Sequence, residues 1–230
     1  MMRPLLDRLD QNEKDLLLAN SKETLVKRGE VVFEEGSEAS HLYFILIGTI
    51  RVHKQMKQNK EVTIFLRKNN DSFGEIGIFS GEIYSCSAVA LTDASLLYIS
   101  KNDMETLMAQ NGRLALGITK WLAESLEASK AKLRDYLVFG SEGAVASIFI
   151  RLSHMYGKET PRGVEITEPI VVQDIAKYVG ITRETASRVI SKWKDQGLID
   201  NEAKKFFIND IEYFRSLLMC DHCGVQNCTL

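Results

Sequence analysis

Between about residues 24 and 100, apolar positions come in short bursts broken by glycine. Val31-Val32-Phe33, Leu42-Tyr43-Phe44-Ile45-Leu46-Ile47 and Val62-Thr63-Ile64-Phe65-Leu66 are set among Gly29, Gly36, Gly48, Gly74, Gly77 and Gly81. Many short β-rich runs with glycine turns predict a jelly roll or small barrel. From about Asp103 the period becomes helical. A short helix is expected near 103–110 and, after Asn111-Gly112, a longer one near 113–138. Along the longer helix Leu114, Ile118, Leu122, Ser125, Ser129, Leu133 and Tyr136 recur at steps of three and four. That spacing suits a two-stranded helical seam between copies of the chain, with small Ser125 and Ser129 allowing close approach. The alternative is that the stripe packs on its own β domain. Gly140-Ser141 reads as a hinge, and a second, mostly helical domain follows; no internal repeat is visible.

Residues 172–193 carry the sharpest pattern: Val-Gln-Asp-Ile-Ala-Lys-Tyr-Val-Gly-Ile-Thr-Arg-Glu-Thr-Ala-Ser-Arg-Val-Ile-Ser-Lys-Trp. Ala176 is small where two helices would cross closely, and Gly180, four residues on, suits a tight turn of positive φ. Ile175, Val179, Ile181, Ala186, Val189 and Ile190 supply a buried face, and Thr182 can cap the second helix. These features predict a helix-turn-helix. Its exposed side would carry Arg183, Glu184, Ser187 and Arg188, followed by Lys192 and Lys194. Arginine can pair bidentately with guanine, glutamate can accept from cytosine N4, and serine can contact either. Lys192 and Lys194 are better placed for phosphate. The competing reading is an ordinary amphipathic hairpin with a solvated charged face. Gly197-Leu198-Ile199 and Lys204-Lys205-Phe206-Phe207-Ile208 look like a two-stranded wing.

Composition narrows the class without deciding it. The 230 residues hold 29 Lys+Arg against 31 Asp+Glu, a formal net charge of −2, so a uniformly basic polycation is excluded. DNA binding is not, because placement of charge matters more than its sum, and residues 183–194 carry four basic side chains against Glu184 alone. No apolar run approaches the ~20 residues a bilayer span needs. The start, Met1-Met2-Arg3-Pro4-Leu5-Leu6-Asp7, reaches an acid before a hydrophobic stretch develops, which argues against a signal peptide. The expected setting is cytoplasmic, with no membrane partner, where clustered cysteines point to metal or redox chemistry rather than disulfides. Cys86 stands alone, whereas Cys220, Cys223 and Cys228 crowd the last eleven residues.

A β-roll, a long helix and a C-terminal winged helix-turn-helix bearing Arg183-Glu184-Thr185-Ala186-Ser187-Arg188 together resemble the cyclic-AMP receptor / fumarate-nitrate-reduction regulator (CRP/FNR) family. The turn pattern Gly29-Glu30, Gly36, Leu42-Tyr43, Gly48 and the segment Phe73-Gly74-Glu75-Ile76-Gly77-Ile78-Phe79 are similar to its sensory domain. The resemblance implies an α+β chain with four parts. These are an N-terminal cyclic-nucleotide-binding-like β-roll sensor (1–110), a dimerisation helix and hinge (111–139), a winged helix-turn-helix (140–219) and a cysteine-rich tail (220–230). It also implies a homodimeric transcription factor, not an enzyme, that binds a two-fold symmetric double-stranded DNA operator and contacts RNA polymerase.

Cyclic-nucleotide members of the family follow Gly-Glu-Leu, about ten residues on, with Arg-Ser-Ala, whose arginine neutralises the cyclic phosphate. Here Gly74-Glu75-Ile76 is followed by Ser85-Cys86-Ser87-Ala88, so a thiol stands where the guanidinium should be. A buried phosphate without its cation is costly, which argues against a cyclic nucleotide and leaves Glu75 a turn or structural role. The tail is the better sensor. Cys220-x2-Cys223-x4-Cys228, with Gly224 easing the bend, lets three thiolates converge, and thiolates select iron–sulfur clusters or zinc. This arrangement resembles Gram-positive oxygen-responsive members of the family, which implies a 4Fe-4S cluster and a carboxylate ligand near the end of the long helix. The residue there is Asp135, with Cys86 and His222 as other candidates. Still open are structural zinc with His222 as fourth ligand, a redox dithiol pair, unliganded thiols, and a helix-end charge role for Asp135. A family member with another effector, or none, is the main alternative. A metal enzyme on the roll would need more than His41 and His53.

Glu184, Ser187 and Arg188 match the oxygen-regulator pattern Glu-x-x-Ser-Arg with a TTGAT-like half-site. Arg183 matches the cyclic-AMP receptor pattern, which reads TGTGA. Both share TGA, so the expected operator is a palindrome with TGA arms about one helical turn apart.

Overall fold

The computed structural model describes residues 4–56, 61–223 and 228–230. The chain folds as two compact units that divide between Glu124 and Ser125. Because the division falls within one helix, each unit is described separately.

The N-terminal unit opens with α1 (Leu5–Arg8) and α2 (Gln11–Ala19). Asp10 and Glu13 start α2 with a reciprocal capping box: Asp10 Oδ1 accepts from the Glu13 amide at 2.9 Å and Glu13 Oε2 from the Asp10 amide at 2.8 Å. Eight strands follow: β1 (Lys22–Val26), β2 (Val31–Phe33), β3 (His41–Ile47), β4 (Ile50–Gln55), β5 (Glu61–Arg67), β6 (Ser72–Phe73), β7 (Ser87–Ala90) and β8 (Ala94–Ser100). A short helix α3 (Glu75–Ser80) lies between β6 and β7. The strands form two antiparallel four-stranded sheets, ordered β1-β8-β3-β6 and β2-β7-β4-β5. This is the β-roll expected from the glycine-punctuated apolar runs. Period-two alternation buries Ile50 and Val52 on β4 and Ala94 and Leu96 on β8. Phe33 stacks on Tyr84 with ring centroids 3.7 Å apart.

Ser100 caps α4 (Lys101–Gln110), its hydroxyl accepting from the Asp103 amide at 3.1 Å. The long helix α5 (Gly112–Val138) has 27 residues. Its first half belongs to the N-terminal unit, where Leu114, Ile118 and Trp121 are fully buried, Arg67 lies 5.6 Å from the Trp121 ring, and Glu124 pairs with Arg8 at 2.6 Å. This corrects the expected seam. Leu114 and Ile118 pack within their own unit, and the exposed apolar positions of the helix are Leu116, Leu126, Leu133, Leu137 and Val138.

The C-terminal unit takes the second half of α5 and then α6 (Gly140–Tyr156). The helices break at Phe139-Gly140, where Gly140 takes φ +60°, a left-handed backbone that suits a residue without Cβ. Every residue of α6 from Gly143 to Leu152 is buried. There follow β9 (Gly157–Thr160), β10 (Gly163–Ile166), α7 (Val172–Val179), α8 (Arg183–Asp195), β11 (Ile199–Glu202), β12 (Lys205–Ile208) and α9 (Ile211–Leu217). The sheet order is β11-β12-β10-β9, so the expected two-stranded wing, β11 and β12, is half of a four-stranded antiparallel sheet. Phe149, Trp193, Phe206 and Phe214 meet edge to face, with Trp193 and Phe214 centroids 4.8 Å apart and Phe149 and Phe206 5.1 Å apart. Beyond α9 the chain makes a single 3₁₀ turn, Cys220–His222. Gly224, expected to ease the bend, lies outside the described residues.

Candidate functional site

The helix-turn-helix is set by three local choices. Gly180 ends α7 in the left-handed region at φ 83°, a conformation that costs a Cβ-bearing residue more. Thr182 is the N-cap of α8, its hydroxyl accepting from the Thr185 amide at 3.2 Å. Ile175, Ala176, Ala186 and Ile190 are buried between the helices, while Val179, Ile181 and Val189 are half-buried. Arg183, Glu184, Ser187, Arg188 and Lys192 all lie exposed on α8. The Glu184 carboxyl is held below its ordinary range by its own backbone N–H and the Thr182 hydroxyl, so it is an ionised acceptor at neutral pH.

Lys192 differs from the others because Glu142, in the first turn of α6, already holds it. Its Nζ lies 2.9 and 3.0 Å from the two Glu142 oxygens, and the indole Nε1–H of Trp193 donates to Oε1 at 3.1 Å. The hydrogen bond from Lys192 to Glu142 raises the Lys192 pKa. Lys194 donates to Asn201 on β11. No local spacing signals Glu142, which meets α8 only through tertiary packing.

The tail gathers a second group. Asp135 is buried, 4% exposed, and its carboxylate accepts four hydrogen bonds. Arg134 donates to Oδ1 through Nε at 3.2 Å and Nη2 at 2.7 Å. Ser147 and Arg151 donate to Oδ2 at 2.7 and 3.4 Å. Cys228 is buried, and Cys220 and Cys223 are half-buried. Burial pushes the Cys220 thiol up to about 11, and the neighbouring Cys228, Asp135 and Cys223 push the same way. Arg134 also donates to the Leu218 carbonyl at 3.2 Å and Arg151 to the Thr229 carbonyl at 3.1 Å, so the two guanidiniums on Asp135 hold the cysteine segment at both ends. Soft sulfur donors beside one carboxylate suit iron–sulfur or zinc binding in kind. The described residues nevertheless contain no group of three or more His, Cys, Asp or Glu side chains that could hold a metal ion as placed. His222 is exposed.

The roll carries a partly open pocket lined by Phe33, Phe73, Tyr84, Arg67, Glu75 and Cys86 among others. Cys86 immediately precedes β7 and is half-buried, its thiol pushed up by burial. Glu75 is buried at the start of α3, with Arg67 Nη2 3.9 Å away and Arg67 Nη1 on Asp71 at 3.1 Å. Arg67 escaped the sequence reading because it ends an otherwise apolar strand without any motif. Its charge is matched within the roll by Asp71 and Glu75.

A capped, positively charged recognition helix with a wing, on a chain that begins with a β-roll, defines a DNA-binding regulator of transcription. Residues 23–111 match the Cyclic nucleotide-binding domain family, and residues 143–217 match the Crp-like helix-turn-helix domain family. The chain is 31% identical over 226 residues to the "Anaerobic regulatory protein" of Bacillus subtilis (strain 168), covering 97% of this chain and 95% of that one. It is 27% identical over 190 residues to the "cAMP-activated global transcriptional regulator CRP" of Pasteurella multocida, covering 82% and 87%. The fold matches that of a CooA mutant from Carboxydothermus hydrogenoformans with a TM-score of 0.78, at 16% identity and 94% and 98% coverage. It matches FixK2 from Bradyrhizobium japonicum with a TM-score of 0.72, at 19% identity and 86% and 96% coverage. The chain belongs to the CRP/FNR family of DNA-binding transcriptional regulators, and its curated relatives are regulators rather than enzymes. Among the described residues no helix is long and apolar enough to cross a membrane.

Proposed function

We propose that this regulator is an oxygen-responsive anaerobic regulator whose Cys220, Cys223, Cys228 and Asp135 hold a 4Fe-4S cluster. The observation that carries the reading is the tethering of the cysteine segment at both ends, by Arg134 at Leu218 and Arg151 at Thr229, to the buried Asp135 carboxylate just before the helix break at Phe139-Gly140. The similarity to a relative named for anaerobic regulation supports it. When bound, the cluster supplies oxygen-labile metal–thiolate bonds. Asp135 and α6 couple the tail to the DNA-reading half: Ser147 and Arg151 on α6 hold the carboxylate, and Glu142 on the same helix holds α8. The state of the tail is thereby felt by the recognition helix. In the roll, Arg67 is engaged by Asp71 and Glu75, and Cys86 stands at the phosphate-pairing position. Both observations argue against a cyclic nucleotide as effector.

The protein acts as a homodimer, closed through the exposed apolar stripe of α5 at Leu126, Leu133 and Leu137. It works in the cytoplasm on a double-stranded palindrome with TGA arms and contacts RNA polymerase. Arg183, Glu184, Ser187 and Arg188 read bases, and Lys192 contacts phosphate once it leaves Glu142.

Anaerobic reconstitution tests the sensory part. Asp135→Ala and Cys220→Ser are expected to lose iron, visible absorption and oxygen-regulated operator binding together. An oxygen-indifferent, colourless protein holding stoichiometric zinc would contradict the reading. For recognition, Arg183→Ala should cost ~1–3 kcal/mol and relax preference at one base pair. Uniform weakening over all sequences would reduce Arg183 to a phosphate contact.

A further inference from the structure

Asp135 is tied to both ends of the cysteine segment. On one side Arg134 Nη2 donates to Oδ1 at 2.7 Å and to the Leu218 carbonyl, two residues before Cys220, at 3.2 Å. On the other, Arg151 Nη2 reaches Oδ2 at 3.4 Å while Nη1 donates to the Thr229 carbonyl, one residue after Cys228, at 3.1 Å. The two arginines differ in exposure: the Arg134 side chain is 34% exposed and that of Arg151 only 1%. Arg151 Nε also donates to Ser147 Oγ at 3.1 Å, and Ser147 in turn donates to Asp135 Oδ2. A guanidinium so deep in the protein persists only if its charge and donors are met, and here the partners are one carboxylate, one hydroxyl and the tail backbone. The tail is seated by neighbouring contacts as well. His154 Nδ1 lies 3.0 Å from the Cys228 carbonyl, the Leu230 amide lies 3.4 Å from Met155 Sδ, and Leu230 is 2% exposed.

We propose that Arg151 is a positioning residue that locks the thiol tail to Asp135 through the Thr229 carbonyl, so that the cysteine segment is held against the carboxylate. The proposal rests on the reading of Cys220, Cys223, Cys228 and Asp135 as the ligand set, and it adds a residue outside that set. Planarity matters: one guanidinium grips the carboxylate and the tail carbonyl through different nitrogens, whereas glutamine is shorter and carries no charge.

The test uses the full chain, freed of metal and reduced, with iodoacetamide alkylation of each cysteine followed by mass spectrometry. In Arg151→Gln, losing hydrogen bonds between charged groups should raise Cys228 alkylation roughly tenfold through freer opening of the tail. Cys86, in the other unit, should react at the parental rate. Arg151→Lys, which keeps the charge but not the fork, should fall between. If Arg151→Gln fails to fold, Arg151→Lys and Ser147→Ala decide, and parental Cys228 rates in both overturn the proposal. Anaerobic reconstitution then measures iron per chain. Arg151→Gln should hold less than the parent, and in an Asp135→Asn background the same change should add little further Cys228 alkylation, which a general structural weakening would not reproduce. Parental alkylation together with parental iron in Arg151→Gln overturns the clamp. A parent without iron but with faster Cys228 alkylation in Arg151→Gln leaves the clamp standing and removes the ligand-set reading instead.

Discussion

Two carboxylates, Glu75 and Asp135, are almost equally hidden from water, at 5% and 4% exposure, yet their surroundings treat them oppositely. Asp135 receives four hydrogen bonds, two from each side, whereas Glu75 has its own backbone N–H and the Arg67 guanidinium 3.9 Å away. Burial therefore dominates at Glu75 and raises its pKa above the ordinary 4.5, with Arg67 opposing the rise. A carboxyl that binds its proton more tightly when folded contributes no loss below its unfolded value. It lowers stability as pH climbs from about 4.5 through the folded value. Glu75→Gln is accordingly expected to gain on the parent in urea denaturation as pH is raised from acid to neutral. An unchanging difference would show that Arg67 fully offsets burial. On α8, Thr182→Ala removes the cap on the Thr185 amide and should cost ~1 kcal/mol in the same assay. That cap, and the left-handed turn at Gly180, were legible because each depends on one residue type at one place. The clamp at Asp135 was not, since Ser147 and Arg151 stand 12 and 16 residues away and carry no motif.

Among the elements, α6 connects the two groups of functional side chains. Glu142 in its first turn holds Lys192 and Trp193 of the recognition helix, and Arg151, nine residues on and so ~13.5 Å further along the axis, holds Asp135 and the tail. Its burial on every side from Gly143 to Leu152 leaves it little freedom to move without disturbing both. Glu142→Gln should release Lys192 for phosphate. We expect severalfold tighter binding to DNA of any sequence, with a salt dependence steeper by about one contact. Fluorescence anisotropy across salt concentrations reads both, and an unchanged slope would mean that Lys192 never reaches the backbone. The sequence pattern identified α5 and its length but mistook the phase of its outward face. Leu114 and Ile118 have the spacing of a seam, yet they sit in the N-terminal unit's own core with Trp121, and period alone cannot tell one burial partner from another. Three strands of the roll, β2, β3 and β5, were readable as apolar runs, whereas the pairing of Arg67 with Asp71 and Glu75 inside it emerged only from the tertiary structure.

For the whole molecule, the exposed leucines of α5 offer the surface for a second copy. Leu126, Leu133 and Leu137 are 56%, 58% and 74% exposed and spaced by seven and four residues, as in a helical seam. Leu133→Asp should shift the protein to monomers in sedimentation velocity and abolish cooperative binding to a two-armed site while leaving the helix-turn-helix folded. A variant that remains dimeric would place the interface elsewhere. Two recognition helices brought together in this way can read a palindrome, and the tail can change their presentation through α6 and the break at Phe139-Gly140. The most direct test follows one anaerobically prepared sample through controlled admission of oxygen, recording iron content, visible absorption and affinity for a TGA-armed palindrome together. The expected result is that absorption, iron and operator affinity fall in step, and that Cys228→Ser starts where the oxidised parent ends. Unaltered operator affinity after complete loss of iron would contradict control of DNA binding by the tail.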